Sequence, residues 1–290
     1  MTGATLSRCW DFMFSMRIAR ILKVPCVMSG QNSGLWGSKF TERLVAKELK
    51  YAKAVTLRDA YAVDNLKALG IEGAHIFTMF DDALFCEKSD DVSGLLVMFG
   101  IGNNPYIALN IHYWGANTAD EQRLILDRLG HMCGYMHDKT KMEILLVPMS
   151  LADVIPIENF LRAYPGEFVK AARFEEYDFR VLRGLLAKSA YCVTMKHHPI
   201  IFSIGECVPT LSIAYKPYYV YKNKGALEVF DLGKYSLDME SITYFEEFKA
   251  LFDDLVEHRN ALAERIRLKL EELKPRRERL FKIIDSIIKR

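Results

Sequence analysis

Along the first eighty residues, short apolar runs alternate with stretches whose apolar positions recur at helical spacing. VPCVMSG (24–30), AVTLR (54–58) and HIFTM (75–79) read as buried strands. Between them, FTERLVAKELKYAK and DAYAVDNLKALG read as helices, the second stopping at Gly70. Strand, helix and strand in this order predict a parallel sheet with right-handed crossovers.

A polar stretch with little periodicity, FDDALFCEKSDDVSG, follows the third strand and reads as the connection between two units, with the boundary near residues 86–94. Alternation resumes with LLVMFG, YIALNIHYW (106–114), a helix around 119–136, EILLVPM (143–149) and a helix from Val154 to Tyr164. It continues through FVKAA, a helix near 178–188, YCVTM (191–195), a helix from Pro199 to about Glu206 and TLSIAY (210–215). Pro199 fits a first helical turn, where its missing N–H costs nothing. Beyond residue 240 the chain is helical and strongly charged, with Pro275 marking a kink or break. The expected division is residues 1–88, 89–235 and 236–290: two α/β units and an amphipathic helical segment.

A chain of 290 residues with half its residues apolar suits two domains of ordinary size. The net charge of +2 spreads no global field of the kind nucleic acid demands, so recognition of anions must be local. Six cysteines are scattered without a CxxC pair or metal-ligand spacing, a usage that suits a reducing cytosol. The first twenty residues interleave Arg and Asp with apolar residues, and no run of about 18 apolar residues occurs. A soluble cytoplasmic protein is expected.

In open parallel sheets, ligands collect beyond the carboxyl ends of the strands. After the first strand come Gly30, Gln31, Asn32, Ser33 and Gly34, small and polar enough for backbone amides to approach an anion, or simply for a turn. Arg58 ends AVTLR, where a guanidinium suits bidentate capture of phosphate or carboxylate; Asp59 beside it suits a helix cap, and Asp81 or Asp82 an ion pair. Asn110, His112 and Trp114 end the YIALNIHYW run and offer either a polar contact with an aromatic platform or a satisfied histidine beside a packed Trp. The densest cluster is Lys196, His197 and His198. Continued strand alternation would turn Lys196 and His198 one way and His197 the other, placing a cation and a titratable imidazole before a helix N-terminus. Adjacent histidines do not readily ligate one ion together, and no HExxH or CxxC accompanies them.

The stretches KVPCVMSGQNSG, AVTLRDAYAVDNLKALGI, IFTMFDDALF, ILLVPMSLADV and VTMKHHPIIFSIGECVPTLSIAY, in this order, resemble the polysaccharide pyruvyl transferase family. The resemblance implies two Rossmann-like parallel-sheet domains facing a cleft, similar to the glycosyltransferase-B type, here with an incomplete first domain and a C-terminal helical extension. It implies transfer of the carbon skeleton of phosphoenolpyruvate onto two hydroxyls of a sugar or lipid-linked oligosaccharide, giving a pyruvate ketal and phosphate, with no further cofactor and no nucleic-acid partner. Arg58, Lys196 and His198 would then be catalytic and donor-binding, with Ser33 and Gly34 beside the donor. His198 would move the proton while Arg58 and Lys196 hold the donor. Asn110, His112, Trp114 and Tyr215 become acceptor-side candidates, and Asp81 a structural partner of the arginine.

Three departures from the family pattern stand out. Lys196 occupies the place of the usual arginine, Lys216 and Tyr218 stand where the family tends to have an acid and a lysine, and the chain is expected to begin inside the first domain, without the usual initial strand, glycine-rich loop and helix. Two alternatives follow. One is a sugar-nucleotide glycosyltransferase of the same fold, with Glu206 as its ribose carboxylate; the other is a truncated, non-catalytic family member. The apolar face of residues 241–290, basic from Arg276 to Arg290, suits either a helix packed across the domains or a peripheral anchor on anionic membrane.

Overall fold

Val55 lies opposite Met28 on one side and Ile76 on the other, and this register builds the first of two parallel sheets. The computed structural model describes residues 6–32, 38–114, 117–174 and 178–289. They fall into two units, Met1–Asp82 with Lys269–Arg290, and Ala83–Leu268. The first stretch of the chain thus ends at Asp82, ahead of residues 86–94.

In the first unit, β1 (Val27–Gln31), β2 (Ala54–Leu57) and β3 (Ile76–Thr78) run parallel in that order. β2 is buried at all its positions, as a continuous apolar run in a central parallel strand requires. Helices α1 (Leu6–Ile21), α2 (Lys39–Leu49) and α3 (Ala60–Ala68) accompany the sheet, and Val45, Leu49, Val55, Leu57 and Leu66 share its core. Each such side chain contributes about 1.5–3 kcal/mol on burial. Ser38 caps α2 through the Thr41 amide (3.2 Å), and Asp59 caps α3 through that of Ala62 (2.8 Å), as expected of a carboxylate there. Glu48 is fully buried and accepts two bonds from Arg20 (2.7 and 3.1 Å). Gly30 has φ +59°, and a Cβ there would stand 2.8 Å from Asp82 Cγ, so this strand end requires glycine twice over.

The second unit opens with α4 (Ser93–Met98), so LLVMFG starts as a short helix and not as part of the strand alternation. Only Leu96 of that helix is buried, a one-sided pattern that a central strand would not show. The unit then runs through β4 (Tyr106–Asn110), α5 (Ala119–Thr140), β5 (Glu143–Leu146), α6 (Val154–Ala163), β6 (Val169–Ala171), α7 (Phe179–Lys188) and β7 (Tyr191–Thr194). It continues with α8 (His197–Gly205), β8 (Thr210–Ala214), α9 (Pro217–Glu228), β9 (Ser236–Asp238) and α10 (Tyr244–Glu257). The six strands are parallel in the order β6-β5-β4-β7-β8-β9. From β4 the chain builds outward to β6, then returns to place β7 on the other side of β4. This reversal separates the loops after β4 and β7 and opens a crevice at their carboxyl ends.

Tyr106, Ala108, Leu145, Leu185 and Cys192 form the core beneath that crevice, and the Tyr106 hydroxyl donates to the Leu185 carbonyl. Arg183, buried on α7, donates to the carbonyls of Ala83 and Leu84 (both 2.9 Å) and pairs with Glu206 (2.9 Å), tying the start of this unit to α7 and α8. Finally α11 (Arg259–Ile288) continues through Pro275 without a break in helix. Its residues up to Leu268 group with the second unit and those from Lys269 with the first. Among the described residues, no helix is long and apolar enough to cross a membrane.

Candidate active site

Three adjacent strands deliver the polar residues of the crevice. Beyond β4 stand Asn110, at the strand's end, and His112; beyond β5, Ser150 and Asp153; beyond β7, Lys196, His197 and His198. They converge on Asp153, whose side chain is fully buried. Its Oδ1 lies 2.7 Å from His112 Nδ1 and 2.7 Å from Lys196 Nζ. Its Oδ2 accepts from Met149 N (2.8 Å), Lys196 Nζ (2.9 Å) and Asn110 Nδ2 (3.2 Å). Lys196 Nζ also reaches Ser150 Oγ at 2.9 Å. Burial pushes the Asp153 carboxyl up, but the bonds from His112 and Lys196 outweigh it and leave the group below its ordinary value. A buried carboxylate that fixes a lysine and a histidine is a rigid base on which a site can be built.

Above this network lies a cavity of about 630 Å³, lined by His112, Trp114, Ser150, Lys196, His197, His198, Phe202, Tyr219 and Lys222 among others. Among the described residues, its lining carries lysines and histidines and no carboxylate, and Asp153 lies beneath the surface. Trp114 stacks on Tyr219 of α9 (centroids 4.2 Å apart, 29° between planes) and receives the edge of His112 (5.3 Å, 86°). One wall is therefore aromatic.

Strand alternation ends at Thr194, because α8 begins at His197 with Lys196 as its N-cap. His197 and His198 consequently diverge by helical geometry and not by strand pleat: His197 is buried and His198 exposed, yet both line the cavity. Pro199 falls in the first helical turn, as its lack of an N–H favours. Lys196 makes no side-chain capping bond, so the positive end of α8 adds to the local potential.

The other expected site residues are placed differently. Arg58 follows β2 in the first unit, with Nε 3.4 Å from Asp59 and Nη1 3.7 Å from Asp81. Ser33 and Gly34 lie outside the described residues. Tyr215 is buried beside Glu121 and Lys216 and does not line the second unit's cavity. Asn110 is buried under the cavity, donating to the Val147 carbonyl (3.0 Å) as well as to Asp153. Sequence reasoning missed Asp153, Ser150, Tyr219 and Lys222; the carboxylate just before the α6 apolar run was the one signal available. Among the described residues, no cluster of three or more His, Cys, Asp or Glu side chains is arranged to hold a metal ion.

The family model for polysaccharide pyruvyl transferase matches residues 2–217. The chain belongs to the polysaccharide pyruvyl transferase family. A search of curated proteins found no significant match. Among solved structures, this pyruvyl transferase family chain is similar to a Listeria monocytogenes protein assigned as a UDP-N-acetylglucosamine 2-epimerase (TM-score 0.62, 15% identity, covering 91% of this chain and 67% of that one). It is also similar to Anabaena HepE in complex with UDP and glucose (TM-score 0.59, 13% identity, 96% and 76% covered). A third is the Methanocaldococcus jannaschii UDP-GlcNAc 2-epimerase in complex with UDP-GlcNAc and UDP (TM-score 0.53, 13% identity, 82% and 64% covered). The chain thus spans 64% to 76% of the length of these structures. At such identities the likeness shows the fold alone: a glycosyltransferase-B-like α/β architecture with parallel sheets and a helical C-terminal extension.

Proposed function

We propose that the cavity of the second unit receives phosphoenolpyruvate and that the protein transfers its three-carbon skeleton onto two hydroxyls of a sugar in a polysaccharide precursor. The observation that carries this reading is the charge of the cavity wall: lysines and histidines face it, their one buried carboxylate lies beneath, and the start of α8 adds positive potential. Phosphoenolpyruvate brings a phosphate and a carboxylate, and charge accumulates on the phosphate as it departs. Preorganised cations that need no rearrangement stabilise that change. The stacked Trp114 and Tyr219 supply an apolar wall of the kind against which the face of a sugar ring packs.

His198, exposed at the first turn of α8, is assigned delivery of a proton to the methylene carbon, and Lys196 the holding of the donor. Arg58 keeps the donor-holding role that the family pattern implies. Binding is tested by thermal unfolding with phosphoenolpyruvate: the wild type is expected to gain several degrees at saturating ligand, and Arg58→Gln to lose most of that gain. An equal gain in both proteins would remove Arg58 from the donor.

The rival reading as a sugar-nucleotide glycosyltransferase needs a carboxylate for ribose. Glu206, its candidate, is bonded to Arg183 (2.9 Å) and Lys88 (2.5 Å) and does not line the cavity. Peripheral membrane contact has a separate basis: near the end of α11, Phe281 and Ile288 are exposed beside the exposed Arg276, Lys282 and Lys289. Neutralising these three cations is expected to lower flotation with anionic vesicles severalfold, since each contributes about 1 kcal/mol near such a surface. Unchanged flotation would dismiss the anchor.

A further inference from the structure

The proposed transfer moves two protons. Two C–O bonds form at C2 of phosphoenolpyruvate, and the C2–O bond to the phosphate breaks with its electron pair leaving on phosphate. C3 gains one hydroxyl proton to become methyl, and the other hydroxyl proton departs on hydrogen phosphate. Such a site needs a base for the attacking hydroxyl as well as an acid for C3.

His112 has the structure of that base. Asp153 is an acceptor-only carboxylate 2.7 Å from its Nδ1, so Nδ1 carries the proton and Nε2 keeps its lone pair. Among the described residues nothing bonds to Nε2, and the ring lines the same cavity as Lys196 and His198. Lys196 Nζ bridges both oxygens of Asp153, favouring the charged carboxylate that orients the ring. The edge contact with Trp114 fixes the ring against the wall already assigned to the sugar.

We propose that His112 is the general base of the acceptor side, with Asp153 as its positioning residue; this rests on the pyruvyl-transfer reading. Nε2 takes the proton of the first attacking hydroxyl and passes it to the departing phosphate. His198 starts protonated, gives its proton to C3 and recovers one from the second hydroxyl. Both imidazoles return to their starting states.

The test has two arms. In the first, NMR follows the ring-nitrogen signals of His112, identified by their loss in His112→Gln, and reads which nitrogen carries the proton. The charged and titratable groups that touch this ring or line the same cavity are Asp153, Cys86, Lys196, His197, His198, Tyr219 and Lys222. Asp153→Asn is expected to shift the balance between the Nδ1–H and Nε2–H forms of the neutral ring, because an acceptor-only carboxylate 2.7 Å away obliges Nδ1 to carry the proton and an amide does not. An unchanged tautomer balance overturns the positioning role without reference to any substrate.

The second arm measures phosphate release from phosphoenolpyruvate with methyl glycosides of galactose, glucose and mannose as acceptors. His112→Gln is expected to lower kcat about 10²-fold or more, with KM for phosphoenolpyruvate changed less than about threefold and the acid limb of the pH profile lost. A kcat within about threefold of wild type overturns His112 as base while leaving the pyruvyl reading intact. Absence of phosphate release from the wild type overturns that reading, and the base assignment with it. Should Asp153→Asn fail to fold, His112→Gln carries the kinetic arm, and Asp153→Glu replaces it in the NMR arm, where a tautomer balance changed by the moved carboxylate is expected.

Discussion

Replacing His198 with glutamine is expected to slow phosphate release from phosphoenolpyruvate by about 10²- to 10⁴-fold, the usual worth of a positioned proton donor. Donor affinity should change little, because glutamine keeps a donor group of similar reach and Lys196 stays in place. The variant should fold normally: His198 is exposed, while the packing of α8 against the sheet rests on the buried Ile200, Ile201, Phe202 and Ile204. Thermal protection by phosphoenolpyruvate should therefore persist although turnover collapses. Turnover comparable to wild type in a variant that still binds the donor would remove His198 from the proton step.

Lys196→Met is expected to damage both activity and stability. The methionine keeps most of the stem's volume but withdraws the cation from Asp153, a carboxylate with no exposure to water. Breaking a buried pair from one side costs about 3 kcal/mol or more, since the remaining charge is left without its counter-ion. The pH dependence has a definite sign. In the wild type, Asp153 is held below its ordinary value, so its contribution to stability is present above the unfolded carboxylate value, about 3.9, and is lost as pH falls through the lower folded value. Without Lys196, burial, the largest influence on Asp153, meets less opposition and its folded value rises. The gap in urea midpoints between wild type and Lys196→Met should be widest near pH 7 and should narrow as pH falls toward about 4. A gap that stays constant or widens on acidification would show that Lys196 does not stabilise the carboxylate.

The strands were legible because parallel sheets bury both faces, which writes them as short continuous apolar runs such as AVTL, YIALN and TLSIA. The cap at Asp59 was legible for a local reason: it needs only an amide three residues on. Strand alternation predicts a pleat at His197–His198 where the chain starts a helix, since periodicity alone does not locate the residue at which a strand hands over to a helix. Asp153 was illegible as the centre of the site. Its partners His112 and Lys196 are 41 and 43 residues away, and only the return of the chain to β7, beside β4, brings them together. The same topology buried Tyr215, a residue whose polar tip and position after a strand mark it for a pocket, against Glu121 and Lys216.

The most direct measurement mixes the purified protein with phosphoenolpyruvate and candidate glycan acceptors, then follows released phosphate and the mass of each acceptor together. The account predicts phosphate release that depends on the acceptor, matched mole for mole by a product carrying one carboxyethylidene group in place of two hydroxyl hydrogens. Phosphate without that product, or a sugar transferred from a nucleotide donor in its place, would contradict it.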